Sequence, residues 1–229
     1  MLFKPLLGNQ LSGSMGGITA SHNRGGSYFR QRAIPVQPNT IEQQIVKAIF
    51  GALSTRWNQV LTAAQRDEWD LYAVNTPVLN VIGETITLTG LNMYIRGNSP
   101  RIQGSQSIID NGPNTFGLPS VSALSLATLV PAANTFDLTF DILDGWANED
   151  NAFLFAGSAR PQKPTINFFK GPFRFAGTIE GDSVMAPTPP ATIDAAFPFN
   201  AGDRIYVRAI VVDAQARLSQ PQIMNAIAP

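Results

Sequence analysis

Apolar residues recur at three- and four-residue spacing along Ile41, Ile45, Ala48, Ile49, Ala52 and Leu53, which is one face of an α-helix. Thr40-Ile41-Glu42-Gln43 at the start of this run is a capping box: the Thr hydroxyl and the Gln side chain serve backbone amides that a first turn leaves free. The pattern predicts a helix over 40–59. A second box, Thr62-Ala63-Ala64-Gln65, opens a helix through Trp69, Leu71, Tyr72 and Ala73 that ends before Pro77. The short connection predicts a helical hairpin with Trp57, Leu61, Trp69 and Tyr72 at its centre.

Further along, the period changes to two. Phe136, Leu138 and Phe140 alternate as in a half-buried strand, and Phe153, Phe155, Phe173 and Phe175 repeat the pattern. Strands are expected over 135–142, 152–159, 173–179 and 204–212, with a last one over 217–220 after the turn Asp213-Ala214-Gln215-Ala216. Between helices and strands, Thr85–Gly90 reads as a strand and Leu91–Arg96 as a strand or a short helix. Residues 97–120, with GNSP, QGSQ, NGPN and GLPS, read as a linker. Upstream of the helices, Ile18–Ser21 and Ser27–Ala33 flank the turn-forming Asn23-Arg24-Gly25-Gly26. This hairpin has too little apolar surface to stand alone.

Composition adds a direction. Apolar residues make up 44% of the 229 positions, enough for a core, but charged residues only 14%, against roughly 25% in ordinary soluble proteins. The net charge is zero, so repulsion gives little protection against association, and part of the surface is expected to be covered by partners. Charge is also uneven: up to Arg66 there are seven basic residues and one acid, Glu42, and beyond it nine basic residues and fifteen acids. A basic N-terminal arm that docks on an acidic neighbour follows. No apolar run approaches the roughly 20 residues of a membrane span, and Pro5, Gly8, Asn9 and Gln10 interrupt any signal-peptide core.

Candidate chemistry is sparse. There is no Cys and one His, His22, so thiolate chemistry and a two-imidazole metal site are out of reach. Asp137, Asp141, Asp144, Glu149 and Asp150 form an acidic run without the ligand order of a calcium loop, and read as a solvated turn. The glycines at 12–17 lack the Lys-Ser/Thr of a phosphate loop. No Ser sits on a strand-to-helix elbow. No catalytic, cofactor or metal site is therefore assigned, and the chain is expected not to be an enzyme. Partner-binding candidates are Arg24, Tyr28, Phe29, Arg30 and Arg32, where guanidinium and aromatic groups alternate, and Phe168 and Phe169 in an apolar loop. The zero net charge turns the first group toward protein and away from nucleic acid. Trp146 with Phe168 and Phe169 leaves a carbohydrate or host-surface site open.

Two resemblances follow. The run Gly202-Asp203-Arg204-Ile205-Tyr206-Val207-Arg208-Ala209 to Leu218-Ser219-Gln220-Pro221 resembles the last hairpin of fibronectin type III and other immunoglobulin-like domains, with Tyr206 as the corner tyrosine. The fold class implied is α+β, mainly β. Its expected parts are an extended arm with a short β-hairpin (1–38), a helical hairpin with short strands (39–100), a linker (101–120) and an immunoglobulin-like antiparallel β-sandwich (121–229). The ordered combination Ser12-Gly13-Ser14-Met15-Gly16-Gly17, Arg30-Gln31-Arg32, Asn39-Thr40 with Gln43-Gln44, Trp57 to Arg66 with Trp69, and Leu88-Thr89-Gly90 with Met93-Tyr94-Ile95-Arg96 resembles a family of uncharacterised virion structural proteins of tailed bacteriophages. That resemblance implies a non-catalytic particle component without cofactor, assembled in the host cytoplasm and oligomeric on the virion. The expected partners are the major capsid protein or other virion subunits, with no membrane. Capsid decoration or cement is the first expectation; a neck or tail component (tail tube or fibre attachment) is the alternative.

Overall fold

The computed structural model describes residues 2–3, 12–23, 26–34, 36–79 and 84–229. The chain is α+β and mainly β, with three helices and several antiparallel sheets. Residues 1–44 form one compact unit and residues 45–229 another.

The first unit carries a four-stranded antiparallel sheet of β1 (Leu2–Phe3), β2 (Gly13–Met15), β3 (Ile18–Asn23) and β4 (Gly26–Gln31), in the order β1-β4-β3-β2. The expected hairpin is present as β3 and β4. The Ser-Gly segment at 12–17, expected as irregular arm, adds a strand because Gly16, at φ 57°, supplies the left-handed turn between Met15 and Ile18.

Helix α1 (Ile41–Gln59) follows, then α2 (Ala63–Asn75). Both capping boxes form: Gln43 N donates to Thr40 Oγ1 at 3.4 Å, and Gln65 N to Thr62 Oγ1 at 3.3 Å while Thr62 N donates to Gln65 Oε1 at 2.9 Å. A two-stranded ribbon of β5 (Val78–Leu79) and β6 (Thr85–Ile86) leads to α3 (Gly90–Gln103), capped by Thr89, whose hydroxyl accepts from Asn92 N. Val81 and Ile82 lie outside the described residues. Trp57, Leu61, Trp69 and Tyr72 are buried together as expected, and α3 adds Met93 and Tyr94. Tyr94 stands between the two indoles, its ring 5.5 Å from each.

The remaining strands are β7 (Ser125–Val130), β8 (Thr135–Thr139), β9 (Phe153–Ala159), β10 (Phe173–Glu180), β11 (Ala191–Asp194), β12 (Arg204–Val212) and β13 (Gln222–Ile227). They form two sheets, β11-β8-β7 and β10-β9-β12-β13. One core joins them: Leu129, Phe136, Leu138 and Ile193 from the first, Leu154, Ala156, Val207 and Val211 from the second. Trp146 closes it, 5.1 Å from Phe140.

Three expectations are corrected. The final strand is β13, not 217–220: Asp213 accepts from Gln215 N and Arg217 N and holds the chain in a turn, so only Leu218 bridges back to Val212. Strands β7 and β11 were not expected; β7 has a bulge between Leu126 and Leu129 that breaks its alternation, and β11 has four residues.

The third correction concerns 97–120, which is not a free linker. Gly97, Asn98, Ser99 and Pro100 lie inside α3. Gly97 meets the backbone of Ala216 so closely that a Cβ would collide with its carbonyl. Asn98 accepts from Ile109 N at 2.8 Å and donates to Ile109 O at 3.0 Å, replacing a strand partner. Arg101, fully buried, donates from Nε to Ser107 O at 2.7 Å and from Nη1 to Asn151 O and Asp213 O at 3.0 and 3.2 Å. Helices and paired sheets are therefore one unit, and the boundary expected over 101–120 is absent.

Gly97→Ala forces a methyl against Ala216, an overpacking that costs about 1–3 kcal/mol. Thermal unfolding of this variant, followed by far-UV circular dichroism and tryptophan fluorescence, is expected to move both probes down together by roughly 2–10 °C. Separate transitions would mean that helices and sheets unfold as independent domains.

Candidate partner-binding surface

The N-terminal sheet sorts its side chains by parity. Register pairs Met15 with Ile18, Ile18 with Gln31 and Ala20 with Phe29, so these lie on one face. Ser14, Thr19 and Arg30 share the other face with Ser21 and Tyr28; Ser14 Oγ and Thr19 Oγ1 are 2.8 Å apart across the strands. One face is thus apolar and the other hydroxyl-rich and basic.

No described side chain from Ser12 to Gln44 is buried. Met15 is 88% exposed, Ile18 54% and Phe29 41%. Tyr28 is half-buried, and Arg30 and Arg32 are exposed. Arg32 continues beyond β4, its amide donating to Gly17 O at 2.8 Å. Arg24 lies outside the described residues. The structure therefore brings Tyr28 and Arg30 to one face and puts Phe29 on the opposite one, a division that the linear motif conceals.

Phe168 and Phe169 are also divided. Phe168 is 79% exposed, whereas Phe169 packs against Phe173 and Tyr206 at 5.6 and 5.4 Å. Tyr206 is not a corner tyrosine, because its hydroxyl donates at 2.6 Å to Ile166 O, forty residues upstream in the β9–β10 connection. That bond anchors the loop beneath Phe168. Trp146 is 3% exposed, so it offers no stacking platform to a sugar.

Helix α1 carries apolar surface that is only partly covered. Of its apolar face only Ile49, Leu53 and Trp57 are buried, while Ile45, Val46 and Phe50 are 49%, 57% and 56% exposed.

The acidic run is engaged in holding loops. Asp137 accepts from Thr192 Oγ1 at 2.7 Å, Asp144 from Ser122 N and Oγ at 3.0 and 2.8 Å, and Asp150 from Ser183 N and Oγ at 2.9 and 3.0 Å. Burial pushes the Glu149 carboxyl up, and the charge of Asp213 adds to this. Among the described residues no group of three or more His, Cys, Asp or Glu is placed to hold a metal ion, and no helix is long and apolar enough to cross a membrane. The chain matches no family model, no curated protein and no solved structure.

One ion pair has a clear pH consequence. Arg56 donates from Nε and Nη2 to the two oxygens of Asp110 at 2.7 and 2.5 Å, and Tyr94 Oη donates to the same carboxylate at 3.2 Å. The hydrogen bonds from Arg56, with its charge and the Tyr94 hydroxyl, hold the Asp110 carboxyl below the usual range against the opposing effect of burial. A depressed folded value means that the stabilisation is complete above the unfolded carboxylate range, about pH 4, and is lost as pH falls through the folded value. Asp110→Asn is expected to melt below the wild type at pH 7, with the gap narrowing as pH drops below about 4. A gap that stays constant to pH 2.5, measured by thermal melts across a pH series, would remove the ionic contribution.

Proposed function

We propose that this chain is a non-enzymatic structural protein of a tailed-bacteriophage particle, a decoration or cement protein that grips the major capsid lattice through its N-terminal sheet. The observation that carries the reading is that no described side chain between Ser12 and Gln44 is buried. Ordering that segment costs conformational entropy that only a covering surface repays, and an apolar face opposite a basic one suits a lattice that offers both greasy and acidic ground. The uncovered face of α1 extends the same surface requirement.

The paired sheets are read as an immunoglobulin-like sandwich of fibronectin type III kind. Taking β7, β8 and β11 as strands A, B and E, and β10, β9, β12 and β13 as C′, C, F and G, the two sheets have that order. Against it stands Tyr206, which ties down a different loop from the corner tyrosine. In this reading the sandwich is the outward module and Phe168 an exposed anchor. Burial of Trp146 takes away the indole on which a carbohydrate site would rest.

Quantitative mass spectrometry of purified particles tests the position. A decoration protein is expected at copy numbers comparable with the capsid protein, whereas about a dozen copies or fewer would place the chain at the neck or tail, where the symmetry is low-order cyclic. A truncation lacking residues 1–38 keeps the cap at Thr40 and the whole of 45–229. It is expected to fold with an unchanged melting temperature and to lose binding to undecorated capsids; retained binding would move the grip elsewhere.

A further inference from the structure

Three inward-turned arginines are bonded. Arg56 meets Asp110, Arg217 meets Asp213, and Arg101 meets three carbonyls. Arg208 differs. It stands on the outer face of the four-stranded sheet, opposite Gly157 on β9 and Ile223 on β13, and is half-buried. Among the described residues its side chain makes no hydrogen bond or ion pair. The charge acting on it is another cation, Arg96 of α3, which together with burial lowers its proton affinity.

Beside Arg208 runs a groove lined by Phe155, Phe173, Phe175, Ile210, Gln103 and a second cation, Arg174. Phe155 and Phe175 stack at 4.8 Å and 25°, which fixes the aromatic wall. Gly157 lets the β10 backbone come close at the groove, since a Cβ there would press on Arg174 O at 2.8 Å. An apolar body with a carboxylate beside it fits such a groove: the rings take the body, and the carboxylate neutralises a desolvated guanidinium.

The chain carries such a body itself. Where the β8–β9 and β10–β11 connections meet, Leu143, Val184 and Met185 are 84%, 92% and 78% exposed. Asp141 accepts from Leu143 N at 2.9 Å, and Asp182 from Val184 N and Met185 N at 2.7 and 3.0 Å. Gly181 and Asp182 donate their amides to Ala152 O and Ala147 O, which fastens one loop to the other. The tips are pinned in place with an aspartate next to each, and little ordering entropy remains to be lost on contact.

We infer that the acidic, apolar-tipped end of one copy seats in the Arg208 groove of a second copy. The two patches differ, so the contact is head-to-tail and leaves a tip and a groove free on every pair. It joins the paired sheets of one copy to those of another and does not depend on the capsid reading or on the N-terminal sheet. Tip and groove are both small, so the association is weak, concentration-dependent and sensitive to salt.

Sedimentation velocity of the full chain over a concentration series tests this. The weight-average sedimentation coefficient is expected to rise with concentration in the wild type. Arg208→Glu and the double variant Leu143→Asp, Val184→Asp are each expected to abolish the rise, with unchanged near-UV circular dichroism. The first variant keeps a good tip and the second a good groove, so an equimolar mixture is expected to give a one-to-one dimer and nothing larger. A wild type whose coefficient is independent of concentration would overturn the proposal. So would association that survives Arg208→Glu, or a mixture of the two variants that stays monomeric.

Discussion

Arg101 has no exposed surface, and none of its hydrogen bonds goes to a carboxylate. Burying a guanidinium is unfavourable unless its donors are met. Here Nε and Nη1 are met by carbonyls from three places: Ser107 after α3, Asn151 before β9, and Asp213 after β12. The ring of Phe153, 5.5 Å away, lies under the guanidinium. The arrangement ties α3 to two loops of the paired sheets at once. Nη2 keeps no protein partner, and burial lowers the proton affinity of the group, so the junction is specified more strongly than it is stabilised. Around it the backbone comes close at Gly97 and at Gly104, where a Cβ would meet Thr178. The tie explains why helices and sheets form one unit while the N-terminal sheet forms another.

The contrast between the two units has a physical cause. In residues 45–229 two cores are linked, one around Trp57, Trp69 and Tyr94 and one between the sheets. In the N-terminal unit the four strands pair, but none of the described side chains from Ser12 to Gln44 is buried. Backbone hydrogen bonds contribute little net stability when the alternative is water, so a four-stranded sheet without burial is a template more than a fold. Its worth lies in presenting two chemically different faces at once.

Helices α1 and α2 and the strands β8, β9, β10 and β12 were legible because each rests on a local rule. The capping boxes at Thr40 and Thr62 and the alternation at Phe136, Leu138 and Phe140 act within a few residues. What was not legible depended on partners far along the chain. Gly97-Asn98-Ser99-Pro100 has turn composition and yet is helical, because Asn98 finds Ile109 and Gly97 finds Ala216. Phe168 and Phe169 are neighbours in sequence, and only Tyr206 decides which of them packs. The arginine and aromatic motif of the arm was visible, but the side of the sheet that each residue takes depended on the register of β3 with β4. Arg208 gave no signal, since an isolated arginine in a strand says nothing about whether an acid waits opposite.

The scarcity of charge acquires a meaning from where the charges go. Asp110 and Asp213 are held by arginines, Asp144, Asp150 and Asp182 by loop amides and hydroxyls, and Arg101 is sealed inside. A chain with only 14% charged residues that engages so many of them internally leaves few to keep its surface apart from other surfaces. Apolar side chains then remain uncovered at Met15, Phe50, Leu143, Phe168 and Val184. Scattered exposed apolar residues are ordinary, but here they stand on ordered supports: a paired strand, a helix, two Asx turns and a loop bonded to Tyr206. Rigid presentation reduces the entropy lost on contact.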